Sequence, residues 1–255
     1  MNSIQSLRSS AITSSRLVKL CLSALIAAIC ILSSVCDAQS IYQPAGLNLG
    51  DPYRLIFITG GLIEPSSSSL QVYNNFVAAE AALPNSLVRG LNTGWSAIVS
   101  NTTTSARTNT NTDPTPAGPT GVPLYLVDGQ TRIADNYDDL WDGTIDAPIG
   151  LTQFGTAPVG GVAPPNLAWT GTRADGTSYL AFQPFTMGTG SVVAGFGSQT
   201  SDYWVSAALI GVGSGDRGGH LYAVSGILTA VPEPASLCLF ASSFVVMCAV
   251  RSRNH

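Results

Sequence analysis

All five cysteines of the chain, Cys21, Cys30, Cys36, Cys238 and Cys248, lie in two apolar stretches near its ends. The region between them carries none. A disulfide framework, a thiolate nucleophile and a cysteine metal site are therefore excluded there. The middle must hold together on its apolar core alone, and at about 190 residues it is long enough to do so. The hydrophobic fraction of 45% supplies that core. Only 10% of residues are charged, against about 25% in typical domains. Gly and Pro number 26 and 15, which favours short strands joined by long loops over long helices.

Charge is unevenly placed. Between residues 39 and 231 there are six Arg, no Lys and thirteen acids, a net of −7. A surface of that sign repels phosphate backbones, which argues against nucleic-acid partners.

The two ends read as addresses. Arg8, Arg16 and Lys19 precede an apolar run over 20–35, and Ala38 follows. This is the pattern of a signal peptide, with signal peptidase cutting after residue 38. An uncleaved anchor is the alternative, because the apolar run is long for a signal. At the other end, residues 235–250 form a second apolar run. As a helix it would span about 24 Å at ~1.5 Å per residue, short of the roughly 30 Å hydrocarbon core. Arg251 and Arg253 would stop it on the cytoplasmic face. Pro232, Glu233 and Pro234 stand just before it.

In that order, tripeptide, apolar helix and basic end resemble the PEP-CTERM sorting signal of bacterial surface proteins. The resemblance implies recognition of Pro232, Glu233 and Pro234 by a membrane-embedded exosortase, removal of the helix, and export linked to exopolysaccharide. A plain C-terminal anchor behind a proline hinge is the alternative. The expected organisation is a signal peptide over 1–38, an extended lead-in over 39–52, an extracellular domain over 53–230 and a sorting signal over 231–255.

Within the domain, "YRLIFIT" at 53–59 reads as a strand between turn residues. The serines at 66–69 can cap a helix to about residue 83, with Leu70, Tyr73, Phe76, Val77 and Ala81 on one face. "GWSAIVS" at 94–100 and "PLYLVDG" at 123–129 read as short strands. The stretch 101–121 is almost free of apolar residues and reads as loop. "NLAWTGTRADGTSY" reads as strand, turn and return strand, 202–211 as strand or short helix, and 219–230 as a final strand. The expected fold class is α+β: one mixed domain with short strands, one main helix and long loops.

The order of "GWSAIVS", "PLYLVDG", "DLWDGTIDAPI", "AWTGT", "DYW" and "HLYAVSGIL" resembles the endostatin-like branch of the C-type-lectin-like fold. The resemblance implies that the first and last strands pair, opposite a face of long loops. The Glu-Pro-Asn and Trp-Asn-Asp motifs of calcium-dependent sugar binding are absent from the sequence. Sugar binding by that route is therefore not implied.

Four features carry candidate chemistry. Asn136, Asp138, Asp139, Asp142 and Asp146 are oxygen donors of the kind Ca²⁺ takes in sets of six to eight. The same residues equally suit a solvated turn, with Tyr137, Leu140 and Trp141 pointing inward. His220 stands near Ser214 and Asp216, without a nucleophile-elbow pattern, and reads as a surface or loop residue. Residues 213–218 satisfy G-x-G-x-x-G, but a strand follows where the phosphate site needs a helix. Tyr137, Trp141, Trp169, Tyr179, Tyr203 and Trp204 are aromatic surfaces for sugar rings or for a core.

The expected function is a non-catalytic surface or matrix component that binds glycan or another partner. A secreted hydrolase acting on polysaccharide is the alternative. Intact mass of the protein from the native envelope separates the fates of its tail. A mass ending near Pro234 is expected, whereas a retained tail would make the segment a simple anchor.

Overall fold

A computed structural model describes residues 40–114, 120–161, 166–212 and 218–232. The signal segment, the helix expected over 235–250, Glu233, Pro234, Arg251 and Arg253 lie outside these residues. Among the described residues no helix is long and apolar enough to cross a membrane.

The apolar run at 53–59 forms β1 (Pro52–Ile58), and every residue from Tyr53 onward is buried. A strand buried on both faces reads as a continuous apolar run because neither face meets water. The main sheet has the order β2 (Trp95–Ala97), β8 (Tyr222–Ser225), β1, β3 (Leu124–Leu126) and β4 (Arg132–Ala134). The β1–β3 pair is parallel, with Arg54 opposite Leu124. The other pairs are antiparallel, with Ile56 opposite Val224 in β1–β8. The short β9 (Leu228–Thr229) pairs with the start of β1. A second, antiparallel sheet has the order β5 (Leu167–Trp169), β6 (Ser191–Phe196) and β7 (Ala208–Gly211). With α1 (Leu70–Ala81) and the one-turn helices α2 (Ala106–Asn109) and α3 (Tyr137–Leu140), the described residues form mixed sheets with few helices, an α+β or mostly-β fold.

Strand periodicity splits the core in two. Tyr53, Leu55 and Phe57 face α1, where Leu70, Tyr73, Val77 and Ala81 pack with Trp95 and Trp169. Ile56 and Ile58 face the other way, toward Tyr137, Leu140, Trp141 and Trp204. There Trp204 lies 5.7 Å from both Trp141 and Tyr222, ring centre to ring centre. The Tyr222 hydroxyl donates to the Trp204 carbonyl at 2.8 Å. A Cβ on Gly195 of β6 would stand 1.9 Å from that same carbonyl oxygen, so only glycine fits there.

Several elements depart from the sequence reading. β4 and β6 were not foreseen, although β6 is the centre of the second sheet. The return strand after the turn at 174–176 is reduced to a single bridge, Thr172 to Ser178. Residues 202–211 divide into a 3₁₀ turn, Asp202–Trp204, and β7. The final strand divides into β8 and β9: Gly226 N–H still donates to the Gly94 carbonyl beside β2, and Leu228 and Thr229 pair with the start of β1.

The polar stretch after residue 100 is a loop that enters the core. Ala106, Thr110 and Thr112 are buried. The Trp141 indole N–H donates to Thr112 at its carbonyl and hydroxyl, at 3.1 and 3.0 Å. Threonine can be buried because its hydroxyl finds partners at hand, as Thr110 Oγ1 does at the Ala106 carbonyl.

The lead-in is likewise packed into the domain. Ile41 is buried and its carbonyl accepts from the Tyr53 hydroxyl. The far end closes on the same place: the Ala230 N–H donates to Asp51 O and the Val231 N–H to Tyr42 O, both at 2.9 Å. Pro232 follows directly.

Burial pushes the Tyr53 and Tyr73 hydroxyls up from 10.0 to about 12, with Tyr42 adding to the effect at Tyr53. The folded state holds these protons longer than the unfolded state. Their stabilisation is complete below about pH 10 and is lost as pH rises through about 12. Thermal melts recorded from pH 7 upward should show a steady midpoint to about pH 10 and a fall beyond it. A fall centred below about pH 9 would contradict this assignment.

Candidate functional site

The five oxygen donors proposed for calcium do not converge. Asn136 Oδ1 caps α3 by accepting from the Asp139 N–H at 3.0 Å. Asp139 Oδ2 accepts from the Asp135 N–H, and Asp138 Oδ2 from the Thr120 N–H, each at 2.7 Å. Asp142 Oδ1 closes a turn on the Thr144 N–H and hydroxyl at 2.9 Å. Asp146 faces Arg132 at 3.4 Å. Asn136, Asp139 and Asp142 shape the backbone beside them, as Asx residues do in caps and turns, while Asp138 ties in Thr120 and Asp146 pairs with Arg132. Among the described residues no group of three or more His, Cys, Asp or Glu is placed to hold a metal ion.

His220 is not a loop residue. It is fully buried, and its Nδ1 stands 2.6 Å from the Thr59 carbonyl oxygen. A carbonyl only accepts, so Nδ1 carries the proton and donates. The His220 backbone bonds on both sides to β5, accepting from Trp169 N and donating to Leu167 O. The side chain was misjudged because burial comes from β5, more than fifty residues earlier in the chain. Ser214 and Asp216, with most of the glycine-rich loop, lie outside the described residues.

Four of the six aromatics singled out in the sequence are core. Tyr137, Trp141, Trp169 and Trp204 are buried, whereas Tyr203 is exposed and Tyr179 half-buried. Tyr179 forms one wall of a hollow on the second sheet, of about 250 Å³. Val193 of β6 is among its lining residues, Phe185 stands beside Tyr179, and residues 206–209 complete it. The Tyr179 and Phe185 rings are 5.8 Å apart and tilted. The Arg173 guanidinium lies over the Tyr179 ring at 5.4 Å.

Local chemistry holds this wall. The Phe185 N–H donates to Tyr179 O, and the Val193 N–H donates to Phe185 O, both at 2.9 Å. Asp175 braces the preceding turn. Desolvation works to raise its carboxyl, but the Thr177 hydroxyl and amide, with Arg107 and Arg173, hold it below its ordinary value.

Leu180 and Leu209 are half exposed, and Phe182 is fully exposed in the left-handed region at φ 47°. A phenylalanine there costs about 1–3 kcal/mol of backbone strain. A side chain that is both strained and solvent-facing contributes nothing to the core. β7 is the edge strand of its sheet, so unpaired backbone groups adjoin the hollow. The hollow thus combines aromatic and aliphatic side chains with backbone groups and the Ser206 hydroxyl.

Sequence reasoning named Tyr179 but passed over Phe182, Phe185 and Leu209. The signal was the apolar cluster in "YLAFQPF", which has neither strand alternation nor helical spacing. Set against known proteins, the chain matches no family model and no curated protein.

The buried His220 ring packs in the core and bonds to the Thr59 carbonyl, so His220→Ala should lower stability by about 3 kcal/mol. Chemical denaturation reads this directly. A loss below about 0.5 kcal/mol would mean that the ring bond to Thr59 is dispensable.

Proposed function

We propose that this chain is a secreted, exosortase-sorted bacterial surface or matrix protein that binds a glycan without catalysing its turnover. The observation that carries the binding reading is the hollow of Tyr179 and Phe185. Aromatic faces offer sugar rings an apolar surface, and edge backbone groups and the Ser206 hydroxyl offer partners for sugar hydroxyls.

Two further observations support the same reading. Among the described residues the last backbone bonds, at Ala230 and Val231, come immediately before Pro232, so loss of the tail removes neither of them. The pairing of β1 with β8 and β9 agrees with a C-type-lectin-like topology, in which the chain enters and leaves at one pole. Such topology would place the long-loop half, with β5, β6 and β7, as the binding face.

A glycan array probed with the purified chain tests this. Retention of at least one glycan is expected, with Tyr179→Ala weakening it about fivefold, the scale of one aromatic stacking contact. Phe182→Ser should leave the melting temperature unchanged or higher. Silence on every glycan would favour a purely structural role. Turnover of any polysaccharide would overturn the non-catalytic reading.

A further inference from the structure

β1 is apolar along its length except for Arg54. That residue shares a face with Ile56 and Ile58 and is only 4% exposed. Among the described residues no carboxylate lies within ion-pair distance of it; the ion pairs there use Arg107 and Arg132. Its guanidinium is held by neutral groups. Nη1 donates to Thr110 O at 2.7 Å and Nη2 to Asn111 O at 3.1 Å. The Tyr137 ring faces it at 5.2 Å. Its Nε is buried with no hydrogen-bond partner. Carbonyl dipoles and an aromatic face offset part of the cost of burying a cation, but they leave its charge uncancelled.

Arg54 also lines a groove of about 390 Å³ at the β2–β8 end of the main sheet. Trp95, Ser96, Asn111 and Ile227 line it too. None of its lining residues belongs to the hollow on the second sheet. The groove wall is set in advance. Asn109 Nδ2 donates to Ala97 O at 2.8 Å and to Asn74 Oδ1 at 3.0 Å, and Asn74 Oδ1 accepts from the Ala97 N–H. This amide pair clamps α1, α2 and β2 together behind the groove.

We propose that this groove binds a carboxylate-bearing sugar, a uronic-acid unit, with Arg54 as counter-ion to the carboxylate. A hydroxyl and an amide from Ser96 and Asn111 suit a polyhydroxylated ring, and the exposed Ile227 gives it an apolar edge. The net −7 of the domain repels anions at a distance, so an anion site needs a local cation shielded from solvent screening. Arg54 meets that need. Nη1 and Nη2 each keep one N–H beyond those given to Thr110 and Asn111, so the carboxylate would take a charge-assisted hydrogen bond there rather than a two-donor fork.

Calorimetric titration of the full chain in detergent with sodium glucuronate and with glucose tests the assignment. Glucuronate should bind at least about tenfold more tightly than glucose and weaken with added salt. Arg54→Met should abolish the difference between the two sugars. Because that variant is buried and its folding is at risk, Ile227→Glu serves beside it: the exposed rim charge should weaken glucuronate at least about tenfold with an unchanged melting temperature. Tyr179→Ala should leave glucuronate binding intact. Equal binding of the two sugars, no binding of glucuronate, indifference to Ile227→Glu, or loss in Tyr179→Ala would each overturn the assignment.

Discussion

The hydrogen bond from the His220 ring to the Thr59 carbonyl joins the end of β1 to the residue that opens the last long strand segment. Around it, Leu221 N–H donates to the Thr59 hydroxyl and Thr59 N–H to the Leu221 carbonyl. His220 also bonds through its backbone to both ends of β5. One buried residue thus couples the main sheet to the smaller one. The two sheets also share both core clusters, and Ser100 N–H donates to the Thr170 carbonyl, so the His220 junction reinforces a packed contact. The hollow rests on β6, whose position follows from β5. Its geometry is therefore inherited from a contact that it does not touch.

Polar side chains do much of the architectural work in this domain. With no disulfide between the apolar ends and few ion pairs, loops are fixed by hydroxyls, amides and carboxylates that bond to nearby backbone. The stretch from Asn101 to Asp113 shows this most fully. Its threonines satisfy one another and the Trp141 indole, its carbonyls hold Arg54, and Asn109 clamps α2 to α1 and β2. The acidic stretch after Ala134 follows the same economy. Its carboxylates cap and turn the chain so that Tyr137, Leu140 and Trp141 can reach the core.

The legible parts of the fold were those with strong local pattern. β1, α1 and the strand at Trp95 were readable because apolar residues recur at strand or helix spacing and are bounded by turn residues. β6 was missed although "SVVAGF" is apolar, because its place as the middle strand depends on neighbours far along the chain. The aromatics were recognisable as a set, but which of them were core was not. Trp169 and Tyr179 sit ten residues apart in similar surroundings. Only pairing of β5 with β6 and His220 buries the first and leaves the second at a surface. Arg54 was visible as a lone charge in an apolar run. Its want of a carboxylate partner was not, because that depends on what Thr110, Asn111 and Tyr137 bring to it.

The sequence by itself determined the cysteine-free, weakly charged body, its mixture of short strands with few helices, its main strand and helix, and an ending that resembles a sorting signal. These follow from composition, periodicity and short motifs, which act over a few residues. The tertiary structure alone decided that the polar loop belongs to the core, that His220 is buried, that the carboxylates stay apart, that a tyrosine–phenylalanine hollow opens on the second sheet, and that a buried arginine meets no carboxylate among the described residues. Those outcomes depend on burial and on partners contributed by distant segments, and neither is encoded in any single stretch of chain.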